Sequence, residues 1–194
     1  MTPFFETEGE RASLQSLTWG RKSDWIPTFC GTAGSLAVEG MLLAPVGERG
    51  FLYQLTVRST SDKPLSSTFG LEGCWASAWH CVNEDKEIDG ARRCYTSLWN
   101  DSLIFDMRCG LPLFAFAPMM DQPCSSTFQE TDAGIVYRLA HACTLEPGEA
   151  VTVTFYWGVG FEEVAAATSA KEMLRQGWQH ELQVTTDWLD ARRW

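Results

Sequence analysis

The chain has few of the features that nucleic-acid and membrane partners require. Fifteen Lys and Arg stand against 25 Asp and Glu, a formal net charge of −10. Phosphate backbones need a basic face, so nucleic acid is not expected as a partner. Anionic membrane surfaces are disfavoured for the same reason. No apolar run approaches the roughly 20 residues of a spanning helix. The opening stretch MTPFFETEGERAS has neither a basic n-region nor a long apolar h-region. A targeting segment is therefore not expected, and a cytoplasmic location is.

Recognisable catalytic spacing is also missing. The sequence holds no Gly-rich phosphate loop, no GxSxG and no HExxH, so it offers none of the usual nucleotide, hydrolase or zinc signatures. The three histidines, His80, His141 and His180, lack a metal-ligand partner at helix or strand spacing. No metal and no cofactor are expected. The seven cysteines are Cys30, Cys74, Cys81, Cys94, Cys109, Cys124 and Cys143, with no CxxC among them. An odd number leaves at least one unpaired within a monomer. Most lie in apolar or alternating runs, where a free thiol acts as a small hydrophobe, so reduced, buried cysteines are expected.

What is present is a strand-rich body of ordinary globular composition, 45% hydrophobic and 21% charged. Its 194 residues suffice for one domain, or a domain with an appendage. The first 160 residues read as strands. The pattern gives strands over Gly34–Leu43, Phe51–Arg58, Leu65–Val82, Arg92–Trp99, Leu103–Cys109, Leu113–Ala117, Ile135–Leu145 and Val151–Val159. Turns fall at Ser59–Pro64 and Asn100-Asp101-Ser102, and Glu84–Gly90 is a charged loop tip. In the last strand Val151, Val153, Phe155, Trp157 and Val159 share a face expected to be buried. Thr152, Thr154 and Tyr156 share one expected to be polar or half-buried. Many short strands at even spacing indicate a sandwich or a barrel, and the spacing alone does not decide between them.

After Gly160 the period changes to that of a helix. Phe161, Val164, Ala165, Ala167 or Thr168, and Leu174 repeat near every 3.6 residues, with Gly177 as a C-cap. Acids lie early (Glu162, Glu163) and bases late (Lys171, Arg175), as the helix dipole favours. A second helix runs from about Trp178 to Trp194, with Trp178, Leu182, Trp188 and Leu189 as its apolar residues. It has no terminating Gly or Pro, so the last segment reads as a connector.

Candidate site residues are aromatic rather than acid–base. Trp75 and Trp79, four apart in a strand, share a face about 13 Å apart. Nine tryptophans are present, and flat rings can stack on sugar faces. Trp99 beside Asp101 adds polar groups for hydroxyls. Core filling or packing between domains is the competing role for these tryptophans. His80 and Cys81 are strand neighbours and point to opposite faces, which argues against a Cys–His nucleophile. His141 reads as a structural histidine. Glycosidic chemistry needs two carboxylates across a cleft, and sequence places no such pair among Glu72, Glu84, Asp85, Glu87, Asp89, Asp101 and Asp106.

Several segments together resemble a known architecture. They are APVGERGFLYQLTVRSTSD (Ala44–Asp62), FGLEGCWASAW (Phe69–Trp79), SLWND (Ser97–Asp101), the Leu-x-Pro-Gly-Glu turn and strand of Leu145–Gly160, and Phe161–Trp194 with its Thr-x-x-Trp-Leu run. Their order resembles the N-terminal domain of glycoside hydrolases and phosphorylases whose catalytic domain is an (α/α)6 barrel. The resemblance implies a mainly β fold: an antiparallel two-sheet supersandwich, galactose mutarotase-like, over residues 1–160, and a C-terminal helical linker over 161–194. It places the catalytic carboxylates in the barrel, so no catalytic residue is carried over.

The expected function is thus a non-catalytic domain of a carbohydrate-active enzyme, packing on a C-terminal barrel and helping to shape its cleft. Trp75, Trp79, Trp99 and Asp101 are its candidates for carbohydrate contact or the domain interface, with oligosaccharide a second partner. Alternative readings are a stand-alone carbohydrate-binding module, a mutarotase-like epimerase using His80 or His141, or a protein-interaction domain.

Overall fold

A computed structural model describes residues 1–75, 91–98, 102–108 and 114–192. Thirteen strands precede two helices among them. The strands are β1 (Thr2–Thr7), β2 (Glu10–Ala12), β3 (Leu14–Lys22), β4 (Ile26–Ala33), β5 (Leu36–Leu43), β6 (Gly50–Ser59) and β7 (Leu65–Trp75). They continue as β8 (Ala91–Thr96), β9 (Leu103–Arg108), β10 (Phe114–Met120), β11 (Ser125–Thr131), β12 (Gly134–Leu145) and β13 (Ala150–Gly160). The helices are α1 (Glu163–Gln176) and α2 (Trp178–Asp190). The fold is mainly β, as the sequence implies, and the choice between sandwich and barrel falls to two open sheets.

One sheet has five strands in the order β11-β12-β7-β1-β2, the other eight in the order β3-β4-β5-β6-β13-β10-β9-β8. Each pairing is antiparallel. The inward faces meet in one core. Phe5, Phe69, Leu71 and Leu139 come from the smaller sheet, and Val38, Leu55, Val57, Val153 and Phe155 from the larger. Alternation along β6 and β13 produces this directly, because side chains two apart share a face.

The edge strands explain what the sequence pattern does not bound. Nearly every residue of β3 and of β11 is exposed, so neither shows an apolar alternation, and each lies at a sheet edge. The strand expected from Gly34 begins at Leu36. Gly34, at φ 57°, opens a two-residue turn in which Ala33 pairs with Leu36; glycine adopts that conformation without steric cost.

The outer face of β13 corrects the sequence reading. Thr154 and Tyr156 are fully buried, because the two helices fold back over this side of the larger sheet. α1 rests on β13 and β10 through small residues. Ala166 and Ala167 pack with Ala115, Ala117 and Ile104, and a Cβ on Gly158 would lie 1.9 Å from the Ala166 carbonyl oxygen. The buried face of α1 is Ala166, Ala167, Ala170 and Met173, whereas Phe161 and Val164 are more than half exposed. Close approach to a glycine-bearing strand selects for small side chains, so the larger apolar residues are turned outward. Gly177 ends α1 at φ 84°, its N–H donating to the Met173 carbonyl. α2 covers the other part of this face, with Leu182 against Ile26, Met41, Leu43, Leu52 and Tyr156.

The five described cysteines are free thiols. Burial holds for Cys94 and in part for Cys124 and Cys143, but Cys30 and Cys74 are exposed, each on an outward-facing position of its strand. Among the described residues, no helix is long and apolar enough to cross a membrane.

Candidate functional site

Of the four aromatic and acidic candidates, Trp75 is placed; Trp79, Trp99 and Asp101 lie outside the described residues, as do His80 and Cys81. Trp75 ends β7 and joins a continuous ring array between the sheets. Its indole stacks on Phe105 of β9, centroids 5.2 Å apart and planes within 6°, and meets the edge of Phe116 at 5.3 Å. Phe105 in turn meets Tyr137 edge-on at 4.8 Å and tilts against Trp157. Trp157 stacks on Phe51 at 5.8 Å. Such geometries suit the ring quadrupoles, positive edge toward negative face. Burial pushes the Tyr137 hydroxyl up to about 12, so it stays protonated at neutral pH.

The array opens at its end. A hollow of about 310 Å³ is bounded by Met1, Phe51, Cys74, Trp75, Phe116, Tyr137 and Trp157. A second, of about 420 Å³, shares Phe51 and Phe116 and is closed by Arg49 and Phe161, with the Arg49 guanidinium 6.0 Å from the Phe161 ring. The chemistry here is mostly apolar and suited to packing; the exposed Cys74 thiol is the one nucleophilic side chain among the described lining residues, and no His, Asp or Glu lines either hollow beside it.

The described carboxylates that sequence singled out are engaged elsewhere. Glu72 forms a bidentate pair with Arg11 across the outer face of the smaller sheet, and that hydrogen bonding holds its carboxyl below the usual range. Asp106 pairs with Arg93 at 2.7 Å. Glu163, at the start of α1, accepts hydrogen bonds from the Ser97 hydroxyl at 2.5 Å and the Tyr95 hydroxyl at 3.1 Å, which ties the helix to β8. His141 is buried, its Nδ1 2.8 Å from the Pro123 carbonyl and its ring edge-on to Phe69, the setting of a structural histidine.

A second hollow type, not found by sequence reading, lies on the outer face of the larger sheet beside α2. It measures about 490 Å³ and spans β3 to β6. Its lining includes the hydroxyls of Thr18, Thr28 and Thr56, the Gln54 amide, Glu39 and Lys22, beside Trp19, Phe29, Cys30 and Met41. The only sequence signal is polar residues two apart on strands whose other face is apolar.

No family model matches the sequence, and no curated protein matches it. Solved structures do resemble it. A structure described as a kojibiose phosphorylase from the human microbiome aligns over 97% of this chain and 27% of its own, at TM-score 0.68 and 10% identity. A bacterial glucoamylase complexed with acarbose aligns over 97% of this chain and 31% of its own, at TM-score 0.56 and 8% identity. A polysaccharide lyase aligns over 88% and 27%, at TM-score 0.52 and 9% identity. The chain thus spans less than a third of the length of these solved chains. At such identities the likeness establishes the fold: a two-sheet antiparallel sandwich with C-terminal helices, of the kind built into carbohydrate-active enzymes, as the sequence resemblance implies.

Proposed function

We propose that this chain is the non-catalytic N-terminal β-sandwich domain of a carbohydrate-active enzyme, a glycoside hydrolase or phosphorylase. Residues 1–160 form the sandwich, and 161–194 act as a helical linker to an (α/α)6 barrel that holds the catalytic carboxylates. The sandwich packs on that barrel and helps to shape its substrate cleft. Its compartment is the cytoplasm, where the free thiols remain reduced.

The observation that carries this reading is the coverage. Nearly the whole chain superimposes on less than a third of a kojibiose phosphorylase and of a glucoamylase. Two features of the molecule support it. Glu72, Asp106 and Glu163 are held by Arg11, Arg93 and the Tyr95 and Ser97 hydroxyls, which is the bonding of structural carboxylates. Phe161, just before α1, and Val164, Val184 and Trp188 on α1 and α2 stay exposed, in the place where a following domain would cover them.

Assay of the isolated chain against aryl-glycosides and oligosaccharides, with and without inorganic phosphate, tests the proposal. No turnover is expected. Turnover abolished by a point substitution within this chain would overturn it.

A further inference from the structure

The outer face of the eight-stranded sheet is divided between a covered part and an open part. α1 and α2 cover one portion through Ala166, Ala167, Met173 and Leu182. The remainder is the hollow of about 490 Å³ over β3 to β6, within the range of small-molecule sites. Pairing registers lay two rows across it. One runs Gly20, Thr28, Met41, Gln54, Thr154, and the other Thr18, Cys30, Glu39, Thr56, Thr152. Trp19, Phe29 and Gly40 also bound the hollow. They belong to the opposite face by strand alternation, and the Trp19 ring packs on Phe29. The side chains aimed into the hollow are therefore mostly polar.

Two of these polar groups are held from the side by β13. The Thr56 and Thr152 hydroxyls are hydrogen-bonded at 2.8 Å, and the Gln54 amide donates to the Thr154 hydroxyl at 3.3 Å. Gln54 keeps its carbonyl oxygen and a second N–H for another partner. Glu39 and Lys22 enter no ion pair among the described residues. Gly20 keeps the floor low, since a Cβ there would come within 3.0 Å of the Thr28 hydroxyl. The hollow combines fixed acceptors and donors, a single carboxylate, and no clustered cation. That set fits a neutral, polyhydroxylated ligand. The net charge of −10 disfavours an anionic one, and one carboxylate is too little for a metal.

We propose that this groove binds a neutral oligosaccharide, with Glu39 accepting sugar hydroxyls and Gln54, Thr28 and Thr56 completing the hydrogen bonds. The assignment of ligand class rests on the carbohydrate reading of the domain. It places sugar contact on the outer face of β3 to β6, away from the ring array of Trp75. Hydrogen bonds in an open groove give modest net energies, so the dissociation constant falls in the millimolar range.

Amide chemical shifts followed during titration with maltotriose and with cellotriose, to about 50 mM, test this. Saturable shifts are expected at Gly20, Thr28, Glu39, Gln54 and Thr56, with at least one of the two sugars. Glu39→Gln should weaken binding about tenfold, as loss of a charge-assisted bond implies. Gly20→Leu, which fills the floor, should abolish it while the spectrum stays folded. Absence of saturable shifts at these amides with both sugars overturns the proposal. So does unchanged affinity in both variants. Neither negative result touches the domain reading, which is tested separately by turnover and by the size of the native polypeptide.

Discussion

Gly158 lies directly beneath Ala166: a Cβ on the glycine would stand 1.9 Å from the Ala166 carbonyl oxygen and 2.5 Å from the Ala170 nitrogen. Both contacts are with helix backbone, which cannot move aside as a side-chain tip can. Gly158→Ala is therefore expected to lift α1 from β13. The cost should reach about 3 kcal/mol, at the upper end for overpacking, and lower Tm by about 6–12 °C for a chain of this size. Thermal unfolding followed by near-UV circular dichroism measures it. A wild-type Tm would mean that α1 does not sit on β13 as described.

Tyr156 tests the second helix. Its hydroxyl accepts the Trp178 backbone N–H at 3.1 Å, in the first turn of α2, and burial pushes its own ionisation up to about 12. Tyr156→Phe leaves that N–H without its partner. A loss of about 1–2 kcal/mol is expected, together with faster hydrogen exchange at the Trp178 amide. Unchanged exchange there would contradict the contact.

The pH dependence of stability should carry the mark of Glu181. This residue of α2 is buried, and its Oε1 has no hydrogen-bond partner among the described residues. Burial raises its pKa, Glu48 and Glu172 push the same way, and His180 opposes them. Below the ordinary carboxylate value both folded and unfolded forms hold the proton. Between that value and the raised one, the folded form holds it more tightly, so stability falls as pH rises through this window. Glu181→Gln should remove that fall and raise stability at neutral pH by about 1 kcal/mol, the scale of one unsatisfied buried group. Tm measured across mildly acidic to neutral pH reads it out; parallel curves for the two proteins would refute it.

Trp75 is predicted to matter for stability through its rings. Trp75→Ala removes the stack on Phe105 and the edge contact with Phe116, at a cost of about 3 kcal/mol. Trp75→Phe keeps a ring in the stack and should cost less than half as much. Chemical denaturation compares the two. Equal losses would show that ring stacking contributes nothing there.

These sites differ in how far sequence reveals them. β6, β7, β12 and β13 were legible because one face of each is apolar and the other is not, and that alternation is written in the chain. β3 and β11 were not, because an edge strand with both faces open has no pattern to show. The helix α1 is legible as an element, but its buried face is not. A hydrophobic period ranks Phe161 and Val164 above Ala166 and Ala170, yet the glycines of β13 admit only the small residues. The polar groove is further from view. Thr18, Thr28, Glu39 and Gln54 come from four strands, and only the pairing registers bring them side by side. Trp75 is legible as a strand residue, while its partners Phe105 and Phe116 are distant in sequence and meet it only through the packing of the two sheets.

The size of the native polypeptide tests the central claim most directly. An antibody raised against this chain, used on extracts of the source cells, reads it on a denaturing gel. The solved carbohydrate-active enzymes devote 27–31% of their length to this fold, and the chain itself is 21.7 kDa. The account predicts a single polypeptide roughly three to four times that mass, with the sandwich joined to a catalytic barrel. A native product of 21.7 kDa would contradict it.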